Sequence, residues 1–283
     1  MLQEIKFFLK RNNEIIYLIF LSAIFASTIQ VFELFKGNAN YLVYSIKNFD
    51  FNKLENDWIA NQPNHLPLFN YFNYLIIKFF SKDIIYLIHY LLLGITSLYL
   101  YLISKNLFPK INEKNLMVIW FAVFTLIFHE KSFFSGVAGQ TSIDQGYQPS
   151  SFAIFFFLGI YFFLIEKNFL SVLFICLGAT FHPTYVLHSG FVILGILSTF
   201  VWSKNYQNFF KIIIYYSILI LPITLFIIFN FLLIDKNLSL LGQKILINRI
   251  PHHANIHYWA TYKDVLFLII YFYSLYLIKN NKR

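Results

Sequence analysis

An all-α polytopic transmembrane bundle is the fold class this sequence predicts, and three observations predict it. Hydrophobic residues fill 58% of the 283 positions and charged residues only 12%, about half the charge of an average soluble chain. Long apolar runs recur, several of them close to the roughly 20 residues that cross about 30 Å of hydrocarbon. Lys and Arg, which give a net charge of +9, gather in short segments beside those runs, as they do in cytoplasmic loops. Lipid satisfies no exposed backbone group, so the runs must be helices.

The first run, residues 14–35, follows a basic start as a secretory signal does. It continues past a normal signal core and shows no small-residue cleavage site before Glu33, so it reads as an uncleaved span. Residues 84–103, 149–165, 185–202 and 212–234 supply further spans, and the shorter runs 116–128, 169–181 and 265–278 complete about eight crossings. Residues 65–80 are too short and too polar, with Asn70, Asn73 and Lys78. A crossing there would also force the Lys105, Lys110 and Lys114 loop outside, so the segment reads as an interfacial or re-entrant helix in the first outer loop. Both termini then lie in the cytoplasm. No repeat or linker divides residues 1–283, which read as one transmembrane domain.

The same charge distribution answers the nucleic-acid reading that a basic chain invites: span-flanking lysines explain it, and no nucleic-acid partner is expected. Membrane lipids are the expected surroundings. The lone Cys176 sits inside a span, where it is a small packing residue with no disulfide partner.

The chemically distinctive segments fall on one side of this topology. The first outer loop carries "LENDW", in which Glu55 and Asp57 stand two apart ahead of Trp58. A polar loop often carries carboxylates that are merely solvated, whereas an interfacial carboxylate can take a proton from a hydroxyl as general base, with Asp57 the preferred candidate. Trp58 would anchor the loop at the interface or stack on a sugar. The second outer loop contains His129 and Glu130 and ends in "DQGYQPSS", ordinary grammar for a helix start. Such a start also offers unpaired N–H groups to a phosphate, which makes Gln148 and Ser150 candidates. At "FHPTYVLHSG" proline ends a helix, and the break places His182 and His188 near membrane depth, His182 ranking first. His89, one turn into a span, reads as a packing histidine.

The last outer loop, "NRIPHHANIHYW", crowds three of the eight histidines into six positions beside Arg249. A guanidinium fork matches phosphate oxygens and neighbouring imidazoles donate without fixed charge, so Arg249, His252 and His253 could form a phosphate cradle. A solvated histidine loop is the plain alternative. A divalent metal is a third: His253 and His257 would share a helical face, with His252, Glu130 or Asp57 completing the site, although no H-E-x-x-H or Cys-rich pattern supports zinc. No other cofactor is implied.

Two resemblances bear on these segments. A first span, an acidic outer loop ("LENDW") and an "HLPLFNYF" stretch similar to the His-Pro-Pro-Leu stretch of several such enzymes resemble the GT-C class of membrane glycosyltransferases, over about the first third of the chain. "QPSS", "FHPTYVLHSG" and "RIPHHANIHYW" resemble a bacterial multipass family with an Arg-x-Pro-His-His signature, over the remainder. The GT-C likeness implies an outer-face site in a bacterial inner membrane and a polyprenyl-phosphate sugar as lipid-linked donor. It implies an acidic base in the first outer loop, mapping onto Asp57 with Glu55 beside it, and includes His65 among the substrate-binding residues. The usual adjacent acidic pair is split here by Asn56, and about eight spans is fewer than such enzymes carry, which suggests a truncated or minimal version. A transporter or lipid-binding protein without chemistry is the alternative from another class. Pro222, inside an apolar run with no charged companion, reads as a kink.

Overall fold

Among the described residues the computed structural model is helical throughout, with no strand. The structure describes residues 13–28, 39–49, 54–57, 60–61, 64–81, 83–112, 115–120 and 146–233, together with isolated positions from 237 to 273. The runs expected at 116–128 and 265–278 therefore lie mostly outside the described residues. The chain divides into two units, residues 1–130 with 141–232 and residues 131–140 with 233–283. All the helices named below belong to the first.

Among the described residues the bounded α-helices are, in order, α1 (Asn13–Thr28), α2 (Ala39–Phe49), α3 (Pro67–Phe79), α4 (Ile84–Leu107), α5 (Ile154–Leu164), α6 (Asn168–Phe181), α7 (Tyr185–Trp202) and α8 (Tyr206–Ile227), and residues 115–120 are also helical. A 3-10 turn, Pro149–Ala153, leads into α5, and a π segment, Ile228–Leu232, extends α8. Among the described residues three helices are long and apolar enough to cross a membrane: α4, α7, and α8 with its extension. The stretch through α5 and the helix α6 are apolar but shorter.

The exposed surface supports a membrane setting. On α7, Leu187, Phe191 and Leu194 face outward, and on α8 Ile214, Ile218, Leu221 and Leu225 do the same. These spacings of three and four make apolar stripes, which water would penalise and lipid would not. Trp202 stands 82% exposed where α7 meets Ser203 and Lys204, the position of an interfacial aromatic.

Helices α5 and α6 form an antiparallel hairpin held by aromatic pairs along its length. Phe152 stacks on Phe181 at 4.0 Å and Phe162 on Phe174 at 5.2 Å. Between them Gly159 lets the backbones approach. A Cβ there would sit 3.0 Å from the Ser171 carbonyl oxygen. The turn at the far end closes with Glu166 at φ 62°, its N–H bonded to Phe163 O and the Lys167 N–H to Phe162 O. The α7–α8 turn repeats this device, with Lys204 at φ 55°, Lys204 N–H to Val201 O and Asn205 N–H to Phe200 O. Both are left-handed helix terminators of the kind that glycine usually supplies. Lys204→Gly is therefore expected to raise thermal stability, by up to about 1 kcal/mol, as read from the melting temperature in mild detergent.

A second close approach joins α1 to α4. A Cβ on Gly94 would collide with Ser22 Oγ and lie 3.0 Å from the Leu18 carbonyl oxygen. Small residues permit this contact in a bilayer, where helix association depends on packing more than on water exclusion. Gly94→Val is expected to destabilise the protein by about 1–3 kcal/mol, as read from its melting temperature.

These pairings give the first unit two unlike ends. Helix α4 runs from a charge-free first turn to Lys105, α5 and α6 turn at Lys167, and α7 and α8 turn at Lys204. Lys105, Lys167 and Lys204 thus mark one end, while the starts of α4, α5 and α7 and the finish of α6 share the other, with Lys47 and Lys78 near by on α2 and α3. That second end carries the described histidines, His65, His89, His182 and His188.

Candidate functional site

The histidine-bearing end is organised around Tyr147, which is 1% exposed. Its ring stacks on Phe69 of α3 at 5.4 Å and meets His89 of α4 edge-on at 6.0 Å. Its hydroxyl donates to Asn73 Oδ1 at 2.9 Å, and the Asn73 amide donates to Phe69 O at 2.8 Å. Phe72 packs edge-on against both Phe152 and Phe181. Residues 69–73 of α3 therefore cap the end of the α5–α6 hairpin. The 13-residue α3 is about 20 Å long.

One detail of α3 was not legible in the sequence. Asn70 and Asn73, which made the segment read as interfacial or re-entrant, are both fully buried, with Lys78 and Tyr71 facing out. Partners explain it: Ser45 of α2 donates to Asn70 Oδ1 at 3.2 Å, and Asn70 Nδ2 donates to Asn64 Oδ1 at 2.8 Å. A buried amide is tolerable when its bonds are made.

Helix α2 draws the acidic loop to this end. Tyr44 meets the His65 ring edge-on at 6.2 Å. Three residues on, Lys47 Nζ donates to Ala60 O at 2.8 Å and to Asn61 Oδ1 at 3.0 Å. Residues three apart share a helix face, so the 54–61 turn and His65 dock on neighbouring positions of one face of α2. Within that turn Asp57 is half-buried and Glu55 exposed. Asp57 Oδ1 accepts the Ala60 N–H at 2.9 Å, and Asn61 Nδ2 donates to Glu55 O at 2.8 Å and Asp57 O at 3.0 Å. One carboxylate oxygen of Asp57 is thus engaged in shaping its own loop. Trp58 lies outside the described residues.

Around Pro183 the chain does what proline requires. α6 ends at Phe181, His182 takes an extended conformation, and α7 starts at Tyr185. His182 is 8% exposed, stacks on Tyr185 at 4.5 Å, and its Nδ1 lies 2.7 Å from Thr184 Oγ1. Tyr185 in turn meets His188 edge-on at 5.3 Å and hydrogen-bonds Ser150. Burial, with repulsion from nearby His65 and His188, holds the His182 imidazole down at about 4. His65 is also lowered by the protein packed around it. At neutral pH His182 is an uncharged ring, and with Thr184 on Nδ1 its Nε2 is the nitrogen left to engage a ligand.

At the start of the 3-10 turn Gln148 is buried, its N–H 3.4 Å from Ser151 Oγ, with the Ser151 N–H returning to Gln148 O at 2.9 Å. The turn is thereby closed on itself, with Ser150 two residues on reaching Tyr185.

Of the residues singled out from sequence, His65, His182 and Gln148 come together at this end, and α2 brings the turn of Glu55 and Asp57 alongside. His188, ranked below His182, belongs to the same group. His89 and Tyr147 join it from beneath. The sequence offered little sign of Tyr147, one aromatic among many. Arg249, His252, His253 and His257, and likewise His129 and Glu130, lie outside the described residues. Among the described residues no group of His, Cys, Asp or Glu is arranged to hold a metal ion.

No family model, curated protein or solved structure matches the chain.

Proposed function

We propose that the protein is a membrane glycosyltransferase of GT-C type, transferring a sugar from a polyprenyl-phosphate donor at the outer face of a bacterial inner membrane. The observation that carries this reading is the gathering of His65, His182 and His188 with the Glu55–Asp57 turn at one end of the described helices, opposite the end that Lys105, Lys167 and Lys204 mark. Positive-inside orientation then puts those three lysines in the cytoplasm, the histidine end outside and both termini inside, in a bundle of about eight spans.

In this reading Asp57 takes the acceptor's proton, through the oxygen not bound to Ala60, with Glu55 beside it. His182 and His65, with Gln148 and Ser150 near by, contact the donor's phosphate as hydrogen-bonding groups. Arg249, His252 and His253 are assigned to the same phosphate from the sequence. Stabilising charge on a departing phosphate is the largest contribution such a site makes, and neutral donors perform it without first attracting every anion.

Purified protein supplied with a polyprenyl-phosphate sugar and an acceptor should form product, and Asp57→Ala should lower turnover by about 10²–10⁴-fold. Unchanged transfer in that variant would remove the base.

The irregular end of α8 favours a second reading. Pro222 lies within the continuous helix and a π segment extends it, and irregular helices recur in transporters. Substrate flux into proteoliposomes without covalent product would support transport.

A further inference from the structure

The lysine end carries a cleft that the glycosyltransferase reading does not use. It has a volume of about 530 Å³ and lies where the last turns of α4 meet the 108–111 turn, with Tyr161 of α5 opposite. Its lining divides in two. Leu102, Phe108 and Leu116 form an apolar wall, and Lys105, Asn106 and Tyr161 bring polar groups.

Depth decides what can enter. From Ile84 to Ser104 helix α4 carries no formal charge, and Lys105 is the first. Those 21 positions rise about 31 Å, the thickness of the hydrocarbon layer, so Lys105 stands at the level of lipid headgroups. Near the end of α4, Leu102 O accepts from Asn106 Nδ2 at 2.8 Å and Ser104 O from the Phe108 N–H at 2.9 Å. Lys110, exposed in the adjoining turn, adds a second cation beside the cleft. A cavity with an oily wall, positive charge and headgroup depth matches an amphiphile with an anionic head. A free anion would have no use for the wall.

We propose that this cleft binds an anionic phospholipid of the lysine-side leaflet, with the phosphate at Lys105 and the glycerol and upper acyl carbons against Leu102, Phe108 and Leu116. Juxtamembrane lysines are known to attract anionic headgroups. The cleft adds a shape that makes the attraction local. The lipid would brace the 108–111 turn against α5, and the proposal stands whether or not the protein transfers sugars.

The test uses the full-length protein, purified in a neutral detergent and stripped of lipid. Phosphatidylglycerol and phosphatidylcholine are titrated separately, with native mass spectrometry and melting temperature as readouts. Phosphatidylglycerol should bind saturably and raise the melting temperature, phosphatidylcholine should do neither, and inorganic phosphate should not displace it. Lys105→Gln should weaken phosphatidylglycerol about fivefold, whereas Lys211→Gln, on α8 at the same end, should leave it unchanged. Equal loss in both variants would mean diffuse surface charge, displacement by inorganic phosphate a simple anion site, and full binding by Lys105→Gln no role for that lysine. Each of these overturns the proposal. A folded Lys105→Gln protein is verified by its unchanged melting temperature without lipid.

Discussion

Tyr147→Ala is expected to cost about 3–5 kcal/mol of stability, the largest loss for any single substitution at the histidine end. The ring is stacked on Phe69 and set edge-on to His89 and Phe152, so its removal opens a void where α3, α4 and the 3-10 turn converge. Tyr147→Phe separates the two contributions. It keeps the ring but leaves Asn73 Oδ1 buried without the phenol, and should cost about 1–3 kcal/mol. Asn73→Leu in the same background removes the stranded acceptor, and the double variant should recover part of that loss. Melting temperature in mild detergent reads all three, and an unchanged value in Tyr147→Phe would show that the hydroxyl bond contributes nothing.

Acid should destabilise the protein through His182. An unfolded histidine takes up its proton near 6.5, whereas the folded ring does so only near 4. Between those values the unfolded chain holds more protons, so stability is complete above about pH 6.5 and falls as pH drops toward 4. The span of the shift corresponds to about 3 kcal/mol at the acid limit. His65 is shifted in the same direction and adds to the same slope. In a series of melting temperatures from about pH 7 to about pH 5, His182→Gln should visibly flatten the decline. A wild-type profile without slope would mean that the ring is not shielded as the packing implies.

Sequence patterning located what depends on local physics. The apolar runs at 84 and 185 begin where α4 and α7 begin, and Pro183 breaks the chain where a missing N–H must. It did not reveal α2, because Ser45, Lys47 and Asn48 interrupt its apolar pattern and its stability comes from docking on α3. Asn70 and Asn73 marked α3 as too polar for an ordinary span, but their burial was not legible, because it depends on partners from other segments. Asn73 is satisfied by Tyr147. His89 illustrates the same limit: its place in a span was legible, its neighbour was not. At the candidate site, His65, His182 and Gln148 were named separately, while their meeting depends on how α3 caps a hairpin. The roles of Asp57 and of Arg249, His252 and His253 await the transfer assay.

Helix α6 has 14 residues and α4 has 24, about 21 Å against about 36 Å. If both cross one bilayer, the short hairpin spans less of it than α4 does. The membrane must then thin beside the hairpin, or water must enter there. Under the proposed function, such thinning would bring a lipid phosphate toward His182 while its tail stayed in the oil.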